Sequence, residues 1–158
     1  MFIEELLKSL MKLHISKIRE FDVLLYPKNI FGKTLFYHCA WYVGRVWGMR
    51  VNFESTSRGP EFEEWENGEV PKYVCRLKAS LTLAQKQNIR EECGLLKDRG
   101  YDWLGFFGHY LALDHPKLMR CDELIEIPLI GAGIDPQRPE RRPSGFMESP
   151  VFDVYEVK

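Results

Sequence analysis

Apolar positions recur along this chain with two different periods, and the change from one to the other marks its elements. Ile3, Leu6, Leu7, Leu10, Leu13 and Ile18 recur mostly at the three- or four-residue spacing of one helix face, with Glu4 and Glu5 early and Lys8 and Lys12 later. That order suits the helix dipole, so residues 1–18 predict an N-terminal helix packed on the body of the protein. Residues 21–26 read as a short strand closed by Pro27, residues 36–47 as a longer one rich in aromatic and β-branched side chains, and residues 49–55 as a third. Gly44 and Gly48 flank Arg45-Val46-Trp47, which places a hairpin near Val46. Opposed residue numbers then sum to about 92, and His38 faces Glu54 on one side of the sheet.

Residues 61–69 are rich in acids, hold Gly68 and precede Pro71, and read as a solvated loop before a strand at residues 73–77. Thr82 caps a helix with Leu83, Ile89, Cys93 and Leu96 on its apolar stripe and Gly100 at its end. Residues 101–113 hold Gly105 and Gly108, the pattern of a short helix packed close to a neighbour, and Asp114-His115-Pro116 breaks it. Cys121 opens a further helix that ends by Gly131 or Gly133, with Pro128 expected to bend or cut it. Residues 135–143, with three prolines and three arginines, read as a loop, and residues 151–157 as a closing edge strand. Strands and helices in this arrangement predict an α+β fold.

Composition narrows the class. At 158 residues the chain has the size of a single domain, 1–158, that buries a core without staples, and 45% apolar against 28% charged residues is globular usage. With 22 basic and 23 acidic residues there is no field to hold a polyanion, so nucleic acid is excluded as the expected ligand. Cys39, Cys75, Cys93 and Cys121 form no C-x-x-C pair, which fits free thiols in a reducing compartment. Charges interrupt the N-terminal apolar run and no 18 apolar residues are contiguous, so neither an export signal nor a membrane span is expected, and the predicted location is cytoplasmic.

The candidate chemistry is a thiol at a helix start, Cys121, and an imidazole on a strand, His38. A cysteine nucleophile and its base require that pairing. The residues around them resemble a family. Phe21-Asp22-Val23-Leu24-Leu25 looks like a Gly-Asp-Val-Leu-Leu strand, and residues 37–44, Tyr-His-Cys-Ala-Trp-Tyr-Val-Gly, look like Ser-His-Val-Ala-Ile-Tyr-Val-Gly. Phe53-Glu54-Ser55 with Gly59 looks like a Glu-Ala and following glycine, Tyr101-Asp102 like a Tyr-Asp element, Cys121-Asp122-Glu123-Leu124-Ile125 like Cys-Ser-Glu-Leu-Val, and Ser149-Pro150 like a late Ser-Pro. In this order, over residues 21–150, they resemble the circularly permuted papain-fold cysteine hydrolases, the YiiX/YebB-like relatives of the NlpC superfamily. In that branch the histidine strand precedes the cysteine helix. Asp122 departs from the pattern, setting a carboxylate where serine is usual, beside a thiol whose activation needs a lowered pKa.

The resemblance implies a papain-like fold of permuted NlpC type, an antiparallel sheet packed against helices, with the nucleophile at a helix N-terminus. It implies Cys121 as nucleophile, His38 as general base and then acid, and Glu54 as the group that orients the imidazole, with Glu61, Glu63 and Glu64 alternatives within reach of the same ring. Tyr101 either lines the substrate pocket or packs as an aromatic core residue, while His14, His109 and His115 read as structural. Regular alternation points Cys39 away from His38, so no zinc site is built from them, and no cofactor is called for. The implied reaction is acyl transfer through a thioester on a peptide or amide substrate, cell-wall peptides being one class. A catalytically weak ligand-binding module of the same fold, and an assembly protein that docks by its N-terminal helix, stand as the other readings.

Overall fold

Val23 to Tyr26 offer no polar face, and such a run belongs to a strand covered on both sides. The computed structural model, which describes residues 11–30, 33–56, 58–65, 69–97, 99–101 and 118–158, places it so. The strands are Met11–Leu13 (β1), Val23–Ile30 (β2), Lys33–Val46 (β3), Met49–Thr56 (β4), Gly59–Glu64 (β5), Tyr73–Leu77 (β6), Gly100–Tyr101 (β7), Leu118–Met119 (β8) and Phe152–Val157 (β9). Seven of them form one mixed sheet in the order β1-β9-β6-β2-β3-β4-β5, with β1 and β9 parallel and the other pairs antiparallel. The short strands β7 and β8 make a separate parallel pair. Among the described residues two α-helices, Leu83–Leu96 (α1) and Glu123–Gly131 (α2), complete an α+β fold.

Alternation along the strands sorts the core into two layers. Val23, Leu25, Cys39, Trp41, Phe53 and Cys75 face Ile89, Cys93 and Leu96 of α1 and Leu124, Ile125 and Leu129 of α2. Leu24, Tyr26, Ala40, Tyr42 and Val74 point to the other face, where Leu13 and Trp65 cover them. At the entry to β2, Arg76 clamps the buried Asp22 carboxylate through two hydrogen bonds of 2.8 and 2.5 Å, and the Arg19 N–H adds a third at 2.8 Å. Thr82 and Gln85 exchange side-chain and backbone hydrogen bonds that cap α1, as the sequence predicted.

Several expectations need correction. Residues 11–13 form a strand and Ile15–Lys17 a 3-10 turn, not the end of a helix over 1–18; residues 1–10 lie outside the described residues. Parallel pairing with β9 overrides the helical period, and it also removes β9 from the sheet edge. Pro27 does not close β2 but sits within it opposite Tyr37. The acid-rich segment begins in β5, where antiparallel pairing to β4 takes up its backbone and leaves Glu61 and Glu63 half-buried on one face, Phe62 and Glu64 exposed on the other. The helix expected over 101–113 falls on residues 102–113, which lie outside those described.

Pro128 does not cut α2, which runs on to Gly131. A proline at this position leaves the carbonyl four residues earlier without its helical donor. That carbonyl belongs to Leu124, and the buried indole of Trp41 donates to it at 2.8 Å. The bond pins the helix that follows Cys121 to the strand that carries His38. Trp41→Phe should therefore destabilise the protein by about 1–3 kcal/mol, the range for an orphaned buried acceptor. In a double-mutant cycle measured by denaturant unfolding, Pro128→Ala should recover part of that loss in the Trp41→Phe background, by restoring an internal donor, and less in the wild type.

Candidate active site

Cys121 enters the first turn of α2 from β8. The Leu124 N–H bonds the Arg120 carbonyl at 3.4 Å, closing that turn around the cysteine, and the Glu123 carboxylate accepts from the Arg120 N–H at 2.8 Å. Sulfur therefore sits at the positive end of a helix, where an anion is favoured.

His38 lies on β3. Its Nε2 is 2.9 Å from Oε2 of Glu54 on β4, which leaves Nδ1 as the ring nitrogen to serve the sulfur. Ala40, not His38, stands directly opposite Glu54, so the pair is diagonal across the ladder and on the same face. The register differs from the expected one by two residues: the turn at Trp47–Gly48 shifts it by three, and the bulge that leaves Val43 unpaired takes one back. Among the alternatives, Glu61 and Glu63 are held by Arg58 at 2.7 and 3.4 Å, and Glu54 alone of the four is paired with the imidazole among the described contacts.

The sulfur of Cys121 interacts with both the His38 imidazole and the Cys39 thiol. Alternation does send Cys39 into the helix-facing core and His38 to the other side, yet both reach Cys121. The β3–β4 ladder is last paired at Ala40 and Glu54, so at residues 38 and 39 β3 has no β4 partner, and a sulfur at that rim meets side chains from both faces.

A hydrogen bond from Cys39 lowers the Cys121 pKa most; burial opposes it, and the bond and charge of His38 add to it, leaving the thiol at about 5. For His38, burial works against the charge, but hydrogen bonds with Cys121 and then Glu54 outweigh it and raise the imidazole to about 9. Cys39 moves the other way, well above the ordinary thiol range, by burial and by its neighbour's charge. The resulting state is a Cys121 thiolate, a His38 imidazolium and a neutral Cys39 donor.

Asp122 is held in a buried ion pair, although its charge still works against the Cys121 anion. Its carboxylate, 1% exposed with its residue, accepts from Arg138 Nη1 at 2.9 Å and from Arg120 Nε at 3.3 Å. Arg138 also holds Glu126 and stacks over Phe146 at 4.5 Å. The proline- and arginine-rich loop thus returns a buried cation to the residue beside the thiol. No sequence signal singled out Arg138 from its neighbours Arg141 and Arg142, and Cys39 was missed because strand alternation argued against it.

The fold brings Cys121, His38 and Glu54 into one cluster. Tyr101 pairs through its backbone with Met119, two residues before Cys121; its side chain lies outside the described residues. Cys121 is 4% exposed and the His38 side chain 17%. A cleft of about 220 Å³ lies elsewhere, bordered by Arg19, Asp22, Arg76 and Lys86. Among the described residues no group of three His, Cys, Asp or Glu side chains is arranged to hold a metal ion, and no helix is long and apolar enough to cross a membrane. No protein-family model matches the chain. No curated protein matches it either.

Two outcomes follow from this geometry. The rate of Cys121 alkylation by a small haloacetamide should rise with pH through about 5, as the thiolate appears, and reach its plateau well below the range of an ordinary thiol. Cys39→Ala should move that rise to higher pH, since the strongest stabiliser of the anion is gone; an unmoved profile would show that Cys39 does not act on the sulfur. Separately, Arg138→Met should lower stability by about 3 kcal/mol in urea unfolding, because it leaves the buried Asp122 carboxylate with only the longer bond from Arg120. Adding Asp122→Asn should recover much of the loss.

Proposed function

We propose that this protein is a cysteine hydrolase, an amidase or peptidase of the permuted papain-like kind, acting through a thioester acyl-enzyme. The meeting of Cys121, His38 and Glu54 at the start of α2 carries the reading. Phe21 adds support: it stands where the resembled family has glycine and holds a φ of 63°, a conformation that glycine adopts freely and a bulky residue rarely does.

In the proposed reaction the Cys121 thiolate attacks the amide carbonyl carbon, and N–H groups at the first turn of α2 stabilise the oxyanion. The His38 imidazolium gives its proton to the leaving nitrogen as the C–N bond breaks, producing a thioester and a free amine. The neutral imidazole then takes a proton from water, which attacks the thioester, releases the acid and restores the ion pair. Glu54 holds the ring in orientation and favours its charged form throughout. The substrate class is a peptide or other amide, cell-wall peptides among them, and the location is cytoplasmic.

A second reading, a ligand-binding relative with little turnover, is favoured by one observation: Cys121 is buried, at 4% exposed. A peptide-like electrophilic probe separates the two. The hydrolase reading expects covalent labelling that mass spectrometry maps to Cys121, falling by roughly 10²–10⁴ in rate in His38→Ala and by less in Glu54→Gln. Absence of labelling near neutral pH in the wild type, with the fold intact, would decide for the binding module.

A further inference from the structure

The β3–β4 hairpin ends in a side chain that turn chemistry does not ask for. Val46 and Met49 close a two-residue turn, and its central residues, Trp47 and Gly48, have φ of 48° and 82°. Positive φ at both positions is the type I′ geometry, for which asparagine, aspartate or glycine is the usual first residue. Tryptophan is strained there, and it packs on almost nothing, at 94% exposed. Val46 and Met49 beside it are 45% and 42% exposed.

Below this apolar crown lies a cationic collar. Arg45 and Arg50 are paired directly across the ladder, an arrangement in which like charges repel. Arg45 donates to the Gly48 carbonyl at 2.9 Å and Arg50 stacks over Trp65 at 5.1 Å; among the described residues neither has a carboxylate partner. An indole and two aliphatic side chains at a tip, with two guanidinium groups one residue behind, match a layered ligand that is apolar within and anionic at its rim. A bilayer surface has that layering: indoles settle at headgroup depth, and arginines bury their stems while binding phosphate. A protein partner fits less well, because a two-residue turn offers far less than the area of about 800 Å² per side that stable protein interfaces bury.

We propose that the β3–β4 tip is a membrane-docking element, seating Val46, Trp47 and Met49 among the headgroups of an anionic phospholipid bilayer with Arg45 and Arg50 on the phosphates. The tip is nine residues along β3 from His38, roughly 30 Å at strand rise, so docking is separate from the proposed chemistry and stands or falls without it.

The test is co-sedimentation of the full chain with vesicles of phosphatidylcholine alone and of phosphatidylcholine mixed with phosphatidylglycerol. Binding is expected to the mixed vesicles, to weaken as salt is raised, and to fall about fivefold for each of Arg45→Gln and Arg50→Gln, the fold-change of about 1 kcal/mol per basic residue at such a surface. Trp47→Asn makes the turn Asn-Gly, the preferred type I′ pair, so this variant should unfold at equal or higher denaturant yet lose most of its vesicle binding. Failure of the wild type to bind mixed vesicles, or wild-type binding by Trp47→Asn, would overturn the proposal and leave a protein contact as the use of the tip.

Discussion

The hydrogen bond from the buried Trp41 indole to the Leu124 carbonyl fastens the two halves of the candidate site together, beside the packing of α2 on β3 and the contacts of the Cys121 sulfur with His38 and Cys39. His38 and Cys121 are far apart in the chain, and neither the β3 ladder nor the α2 backbone by itself sets the distance between them. Pro128 makes the bond necessary, since it leaves that carbonyl without a helical donor, and Trp41 makes Pro128 tolerable. What a sequence pattern marks as a helix breaker is, in the folded chain, half of a lock between helix and strand.

Charge balance is the second constraint. A buried thiolate needs donors and cations near it, and here they come from elements that are distant in sequence: Cys39 beside His38 on β3, the imidazole itself, and the start of α2. Asp122 would oppose that anion, but Arg138 and Arg120 hold it in a buried ion pair. Such a pair is costly to break from one side, so the loop of residues 135–142 is bound to the site by electrostatics as well as by the packing of Phe146.

Periodicity made β2, β3, β4, β6, α1 and the start of α2 legible, because each has a strong apolar pattern bounded by turn or capping residues. It failed where pairing overrules local pattern. The helical spacing around Leu13 lost to backbone bonding with β9, and the acids of β5 lost to the edge that β4 offered. At the site, ordered short motifs brought Cys121, His38 and Glu54 to notice, whereas Arg138 and Cys39 depend on loop closure and on where the β3–β4 ladder stops. Neither of those leaves a local trace. The offset of Glu54 from its expected register comes from the turn, which closes at Trp47–Gly48 rather than at Val46, and the bulge at Val43, a property of two strands together, takes one residue of it back.

The proposed chemistry rests on proton placement between Cys121 and His38. An NMR titration that follows the His38 ring signals reports it directly. The ring should be charged at neutral pH and lose its proton near 9, and should lose it at clearly lower pH when Cys121 is replaced by alanine, because the contribution of the sulfur is gone while burial still opposes the charge. A His38 that titrates in the usual range in the wild type, unaffected by the loss of Cys121, would contradict the ion pair and the chemistry built on it.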